Sequence, residues 1–397
     1  MKKILSAQCY SLYLYSLLML FLPQIMSYSQ FAIVLSAIAA IAMISYIFKN
    51  RKITWITLYT TIIGSLLVFL YYFGINSSTE QLQRTFFLVV LGQTLPAALL
   101  ASIISTDQRN DNKKVQRIIL GYVIALTFLV VMAIVFPNTY TGGGGLTTDF
   151  VLNYQNGSYL CAYISNFVIY AFVTGNVNTR FKKIIYIMAL VIATFAMFAM
   201  GGRGGFVTYI LINSFLLVFA MRKSGLSGAK ILRNIAIGAT SLFVLYFVIS
   251  MASNFSLGGS IGFSRIQRLI SYHSDSGRSS IYHKAFELIT QRPLFGYGVG
   301  SVFGLLGTHA HNLIINCLLE TGFVGTSLLV ALLISTFVKC PKLLKYDENT
   351  WICIIIFLQG FTISMFSGYY LAQTLLFCGI VFIQGKSLRI RHERNQS

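Results

Sequence analysis

An all-α integral membrane bundle is the fold class predicted by three features of the sequence. Apolar runs long enough to cross a hydrocarbon core of about 30 Å recur along the chain. Hydrophobic residues make up 56% of the 397 positions and charged ones only 10%, with a mean hydropathy of +0.73, a composition no water-soluble domain needs. Basic residues fall in every second connection between the runs.

Taken in order, the runs give about twelve spans: Tyr10–Ile25, Phe31–Phe48, Ile53–Phe73, Thr85–Ser105, Ile118–Phe136, Gly157–Val177, Ile184–Met200, Gly204–Ala220, Ile231–Ser250, Asn312–Val338, Thr350–Phe366 and Tyr370–Phe382. The last pair is short. Lys2 and Lys3 ahead of the first run resemble the start of a signal peptide. Pro23 interrupts that run and no small-residue cleavage site follows Ile25, so an uncleaved span is expected. The whole chain, 1–397, reads as one membrane domain.

The net charge of +20 raises the question of nucleic acid, and its placement answers with topology instead. Of the 30 Lys and Arg residues, 23 lie at Lys2–Lys3, Lys49–Lys52, Arg109–Arg117, Arg180–Lys183, Arg222–Arg233, Lys339–Lys345 and Lys386–Arg394. The other seven, Arg84, Arg203, Arg265, Arg268, Arg278, Lys284 and Arg292, occupy the intervening connections. The positive-inside rule then puts both termini in the cytoplasm, with membrane lipids rather than nucleic acid as the protein's surroundings.

Six cysteines, Cys9, Cys161, Cys317, Cys340, Cys353 and Cys378, are scattered in or beside spans without C-x-x-C spacing. Neither a disulfide framework nor a metal site is indicated. Gly142–Gly145 reads as a flexible turn. One connection departs from the short ones: residues 251–311 form a large outer loop between the ninth and tenth spans, and connections of that length are usually functional. Within it, Ser279 or Ser280 caps a helix whose Ile281, Ala285, Leu288 and Ile289 recur at helical spacing and which ends before Pro293. Its apolar face is expected on the membrane surface or against the bundle.

Several short pieces of this half of the chain stand in a telling order: Gly201-Gly202-Arg203-Gly204-Gly205, Gly277-Arg278-Ser279-Ser280-Ile281-Tyr282, Pro293-Leu294-Phe295-Gly296-Tyr297-Gly298, His311-Asn312, and, nine residues on, Gly322 to Gly325. Together they resemble the bacterial O-antigen polymerase and ligase family, the Wzy-type and WaaL-type membrane proteins. The resemblance covers roughly Ala199 to Val338. The Ser that often precedes Arg-Gly in that family is absent here.

The resemblance implies glycosyl transfer from undecaprenyl diphosphate to an acceptor hydroxyl on the outer face of the membrane. The substrate is an undecaprenyl-diphosphate-linked oligosaccharide, no cofactor is called for, and a Wzz-type chain-length co-polymerase is a candidate partner. As the C1–O bond of such a donor breaks, the diphosphate charge needs a metal or convergent cations. The outer acids Glu80, Asp149, Asp275 and Glu287 are far apart in sequence, leaving arginines as the candidates.

Arg203 and Arg278 fit because a guanidinium fork binds phosphate oxygens bidentately and stays charged. For Arg203 the residues alone leave a second reading, a glycine hairpin whose arginine snorkels at the interface; the resemblance favours the diphosphate ligand. Arg265, Arg268 and Arg292 are further substrate-binding candidates, or else a basic face toward anionic headgroups. His311 is assigned the general base on the acceptor hydroxyl. A helix-capping histidine is the alternative, and His309, two positions away, is its local competitor and a second substrate contact.

Asn312, Glu320, Gly322 and Gly325 are read as structural. Glu320, the one acid inside a predicted span, lies on the far side of a helix from His311 and is expected to pair with Asn316. Gly322 and Gly325 have the spacing that admits a neighbouring helix. Phe295-Gly296-Tyr297-Gly298-Val299-Gly300 contains the Gly-Tyr-Gly of a potassium filter without its Thr-Val lead. No strand–turn–helix unit surrounds it as a dinucleotide site requires, and it reads as a turn forming a floor beside the lipid headgroups.

Polymerase is favoured over ligase only because polymerases are more numerous and diverse. A lipid-linked oligosaccharide flippase is the competing class. Polar residues gathered at one rim, rather than at midplane in repeated halves, count against it.

Overall fold

The computed structural model describes residues 94–106, 154–173, 179–200, 203–223, 278–344 and 350–396, together with Ile62, Val90, Val177 and most of 120–131. The elements among them are helical throughout, with no strand. The predicted spans Tyr10–Ile25, Phe31–Phe48 and Ile231–Ser250, most of Ile53–Phe73, and residues 251–277 with Arg265 and Arg268 lie outside the described residues. In order, the helices are α1 (Leu95–Thr106), α2 (Tyr154–Val173), α3 (Arg180–Met200), α4 (Arg203–Lys223), α5 (Arg278–Gln291), α6 (Val302–Leu306), α7 (Leu313–Leu344), α8 (Thr350–Phe366) and α9 (Thr374–Gln396), with a 3₁₀ turn at Tyr370–Ala372.

The chain divides into two compact units, and α2, α3 and α4 belong to one of them. There α2 packs against both α3 and α4. The glycines after Arg203 are what bring α4 close: a Cβ on Gly204 would lie 1.9 Å from the Tyr159 hydroxyl, and one on Gly205 would lie 2.4 Å from the Ser158 carbonyl carbon. On α3 the small residues Ala189, Ala193 and Ala196 are buried, while Phe181, Ile184, Met188, Val191 and Phe195 form an exposed apolar stripe. Apolar outside and small inside inverts the pattern of a helix facing water.

The other unit holds α1 and α5 to α9. Helix α9 packs on α1 and α8, and α7 meets α5, α8 and α9. The loop helix predicted before Pro293 is α5. It begins at Arg278, so Ser279 and Ser280 lie inside its first turn rather than at its cap. Its buried residues, Ala285 and Ile289, are on the predicted apolar face, and that face lies against the bundle.

Helix α7 is the element that positions the site. It is long and apolar enough to cross a membrane, the one such helix among the described residues. At Gly322 its backbone leaves the helical region (φ 61, ψ −164), so two arms meet there. The farther arm ends in polar contacts with α9: Lys339 Nζ donates to Gln384 Oε1, and Gln384 Nε2 donates to Thr336 Oγ1 at 3.0 Å. Helix α8 has the limits predicted for it, Thr350 to Phe366. The last predicted span differs: Tyr370 to Ala372 form the 3₁₀ turn, and α9 runs past Phe382 to Gln396. The apolar run ends at Phe382, but residues such as Lys386, Leu388 and Arg389 keep good helix propensity.

Candidate active site

Asn312 starts the site by starting α7. Its Oδ1 accepts the backbone N–H groups of Ile314 (3.0 Å) and Ile315 (3.2 Å), two donors that the first helical turn leaves without partners. One turn further, the buried Asn316 reaches back: its Oδ1 accepts the Ala310 N–H at 2.8 Å. The chain between these two anchors is forced into a tight entry, and His311 takes a φ of 52°, the one positive value among the described non-glycine residues. Such a conformation is costly for a residue with a Cβ and persists where its surroundings over-determine it.

Because residues 309–311 are not helical, the two histidines do not diverge as a helix would make them. Their ring centroids lie 4.1 Å apart. His309 rests against Phe303 of α6, edge to face at 6.1 Å. His311 Nδ1 is buried and has no hydrogen-bond partner among the described residues.

Arg278 opens α5 and donates from Nη2 to the carbonyl of Phe366, the last residue of α8, at 3.0 Å. A guanidinium there satisfies a carbonyl the helix end leaves open and lies at the negative end of its dipole. Its charge also reaches the imidazoles. Burial, then the neighbouring His311, then Arg278 push the His309 imidazole down to about 3. Burial first and Arg278 second push His311 below its ordinary value. Both rings are therefore neutral near pH 7, the form that accepts a proton.

Beneath this cluster, residues 293–302 are laid along α7. Phe323 N donates to Pro293 O (2.8 Å) and Val324 N to Leu294 O (3.2 Å), while Tyr297 N and Gly298 N donate to Leu319 O (3.0 Å) and Glu320 O (2.8 Å). The break at Gly322 supplies the room, for a Cβ there would lie 2.3 Å from the Leu294 carbonyl. Gly322 therefore admits the incoming loop rather than the predicted neighbouring helix. A Cβ on Gly325 would meet the side chain of Thr321 in its own helix.

Glu320 closes the arrangement. Its buried carboxylate accepts the Tyr369 hydroxyl at both oxygens (3.0 and 2.9 Å) and the Tyr370 hydroxyl at 3.0 Å. The backbone groups of Gly300 and Val302 also hydrogen-bond to it. The expected pairing with Asn316 is not made, because Asn316 Oδ1 is turned to Ala310. Tyr369 also packs edge to face on Phe303 (4.9 Å), the residue under His309.

The structure thus brings together Arg278, His309 and His311, with Asn312, Glu320 and Gly322 in supporting places. Arg203 is the first residue of α4, in the other unit. Arg292 is exposed and lies over the Tyr297 ring at 4.8 Å from its centroid. Sequence reasoning missed Tyr369 and Tyr370. The signal for them was that a buried acid needs donors, and two tyrosines stand at the end of an apolar run. Among the described residues no group of three His, Cys, Asp or Glu side chains is placed to hold a metal.

Comparison with curated proteins and with solved structures finds no match. Residues 188–330, which contain Arg203, Arg278, His309, His311 and the break at Gly322, match the Wzy_C family, described as O-antigen ligase. Family members are membrane proteins of O-antigen biosynthesis with ligase- or polymerase-type activity. Over residues 188–330 the chain is thus similar to the O-antigen polymerase/ligase family.

Proposed function

We propose that this protein is an O-antigen or capsular polysaccharide polymerase of the bacterial inner membrane. It transfers a growing glycan from undecaprenyl diphosphate onto the nonreducing end of a lipid-linked repeat unit. The observation that carries this reading is the neutral imidazole pair beside the Arg278 guanidinium. A base and a phosphate-binding cation share one small site.

In the reaction, the acceptor oxygen bonds to C1 of the donor sugar as the C1–O bond to the diphosphate breaks. His311 takes the acceptor proton, and the leaving diphosphate carries away the bonding electrons. Attack from the face opposite the diphosphate inverts the anomeric centre. Arg278 holds the developing charge without metal, since a guanidinium fork remains cationic and bidentate, and the motif order assigns Arg203 the same chemistry. Arg292, and with it Arg265 and Arg268, attract the anionic headgroup. In the membrane, about twelve spans with both termini in the cytoplasm put the 251–311 loop and its histidines on the outer side, where a Wzz-type partner is able to regulate chain length.

The test is to supply purified enzyme with undecaprenyl-diphosphate repeat units alone. Polymerase activity yields a ladder of longer lipid-linked products and free undecaprenyl diphosphate, since donor and acceptor come from one pool. Product that forms only after lipid A-core is added identifies a ligase instead.

A further inference from the structure

Taking the second arm of α7 as a membrane span, which rests on the membrane reading above, we infer that Leu294 and Phe295 form a wedge seated in the lipid leaflet on the site's side. From Phe323 to Leu344 the arm is about 33 Å long at 1.5 Å per residue, close to the thickness of a hydrocarbon core. Lys339 and Lys342 mark its far end, and its Leu328 is 70% exposed. A span anchored there by its lysines reaches the opposite hydrocarbon boundary at the Gly322 break.

That boundary is where residues 293–295 are held. The hydrogen bonds from Phe323 N to Pro293 O and from Val324 N to Leu294 O fix them at the level of the break. Leu294 is 59% and Phe295 73% exposed, beside the exposed Phe323. In water these side chains would stand uncovered, whereas at the edge of the hydrocarbon they are solvated by acyl chains. Arg292 over the Tyr297 ring adds a cation and an aromatic ring of the kind that settles among headgroups. The wedge sets the height of the site. The first arm of α7, from Leu313 to Thr321, is about 14 Å long and leads back to the imidazoles, which lie within about that reach of the break. A headgroup layer is about 5–7 Å deep, so that reach extends past a lipid diphosphate to the sugar it carries.

Depth-resolved fluorescence quenching tests this on the full chain in phosphatidylcholine–phosphatidylglycerol vesicles. Phe295→Trp and, separately, Leu294→Trp and Leu328→Trp are placed in a Trp55→Phe, Trp351→Phe background. Lipids brominated near the carbonyl or near the terminal methyl supply the depth scale, and aqueous iodide reports water. The inference expects the Phe295→Trp and Leu294→Trp signals to be lost mainly to the shallow bromines, and the Leu328→Trp signal mainly to the deep ones, with little loss to iodide. Loss to iodide and none to bromolipid at positions 294 and 295, with Leu328→Trp still quenched by lipid, overturns the wedge and leaves the span intact. Strongest loss to deep bromines at 295 overturns the boundary placement. Absence of lipid quenching in Leu328→Trp overturns the span and the wedge with it.

Discussion

His309 and His311 face each other across the Ala310 amide, their ring centroids 4.1 Å apart, while that amide is tied to Asn316 one turn into the helix that follows. The contact is made by a backbone that has not yet become helical. It puts two neutral bases beside Arg278, and the roles of the two rings are separable by substitution.

His311→Ala is expected to abolish transfer in protein that still inserts at normal levels, consistent with loss of a general base contributing about 10²–10⁴-fold. His309→Ala should retain more activity, because it removes a neighbour of the base rather than the base. Normal product lengthening by His311→Ala in a reconstituted assay would sink the assignment.

The pH dependence follows from the direction of the shift. A base whose imidazole is held below its ordinary value stays deprotonated on the acid side, so kcat/KM should hold up below about pH 6.5 and fall only at lower pH. Arg278→Ala removes a positive neighbour, which raises the His311 pKa and moves the acid limb toward higher pH. An acid limb that does not move in that variant contradicts the electrostatic coupling.

Arg278→Ala and Arg203→Ala should each reduce turnover by about 10²-fold or more if each fork holds departing charge, and Lys should not fully rescue either. Rates are normalised to the amount of protein in the membrane. Near-normal turnover in both Ala variants eliminates the diphosphate clamp.

Gly322→Ala should destabilise the protein by more than about 1 kcal/mol, since Ala is strained at a positive φ and its Cβ would meet the Leu294 carbonyl. Gly325→Ala would crowd Thr321 (Oγ1 at 2.3 Å, Cβ at 2.4 Å) but keeps an ordinary φ, so it lacks the backbone strain and should cost less. Thermal unfolding in detergent compares them; equal losses would argue against the break as the docking point of the loop.

Tyr369→Phe removes a hydroxyl that serves both oxygens of Glu320. A loss of about 1–3 kcal/mol is expected for buried acceptors left without their donor. A double-mutant cycle with Glu320→Gln should show strong coupling, and additive effects would mean that the contact contributes little.

The features legible in the amino-acid order alone are local or compositional. Apolar runs fixed where α3, α4, α7 and α8 lie, because a backbone out of water must satisfy its hydrogen bonds within the helix. The 3.6-residue spacing of Ile281, Ala285, Leu288 and Ile289 placed α5 and its buried face. The motif order, from Arg203 through Arg278 to His311 and Gly322, carried the family resemblance, since each piece depends only on neighbours in the chain. Tertiary structure decided the rest, where partners are distant. Glu320 finds its donors 49 and 50 residues away, and helical spacing alone pointed to Asn316. Gly322 reads in sequence as a small residue for helix contact, yet its role was set by a loop arriving from Pro293 and Leu294. Whether His309 sits with His311 turned on where α7 begins, and that was settled by two asparagine side chains accepting different backbone N–H groups on either side of His311.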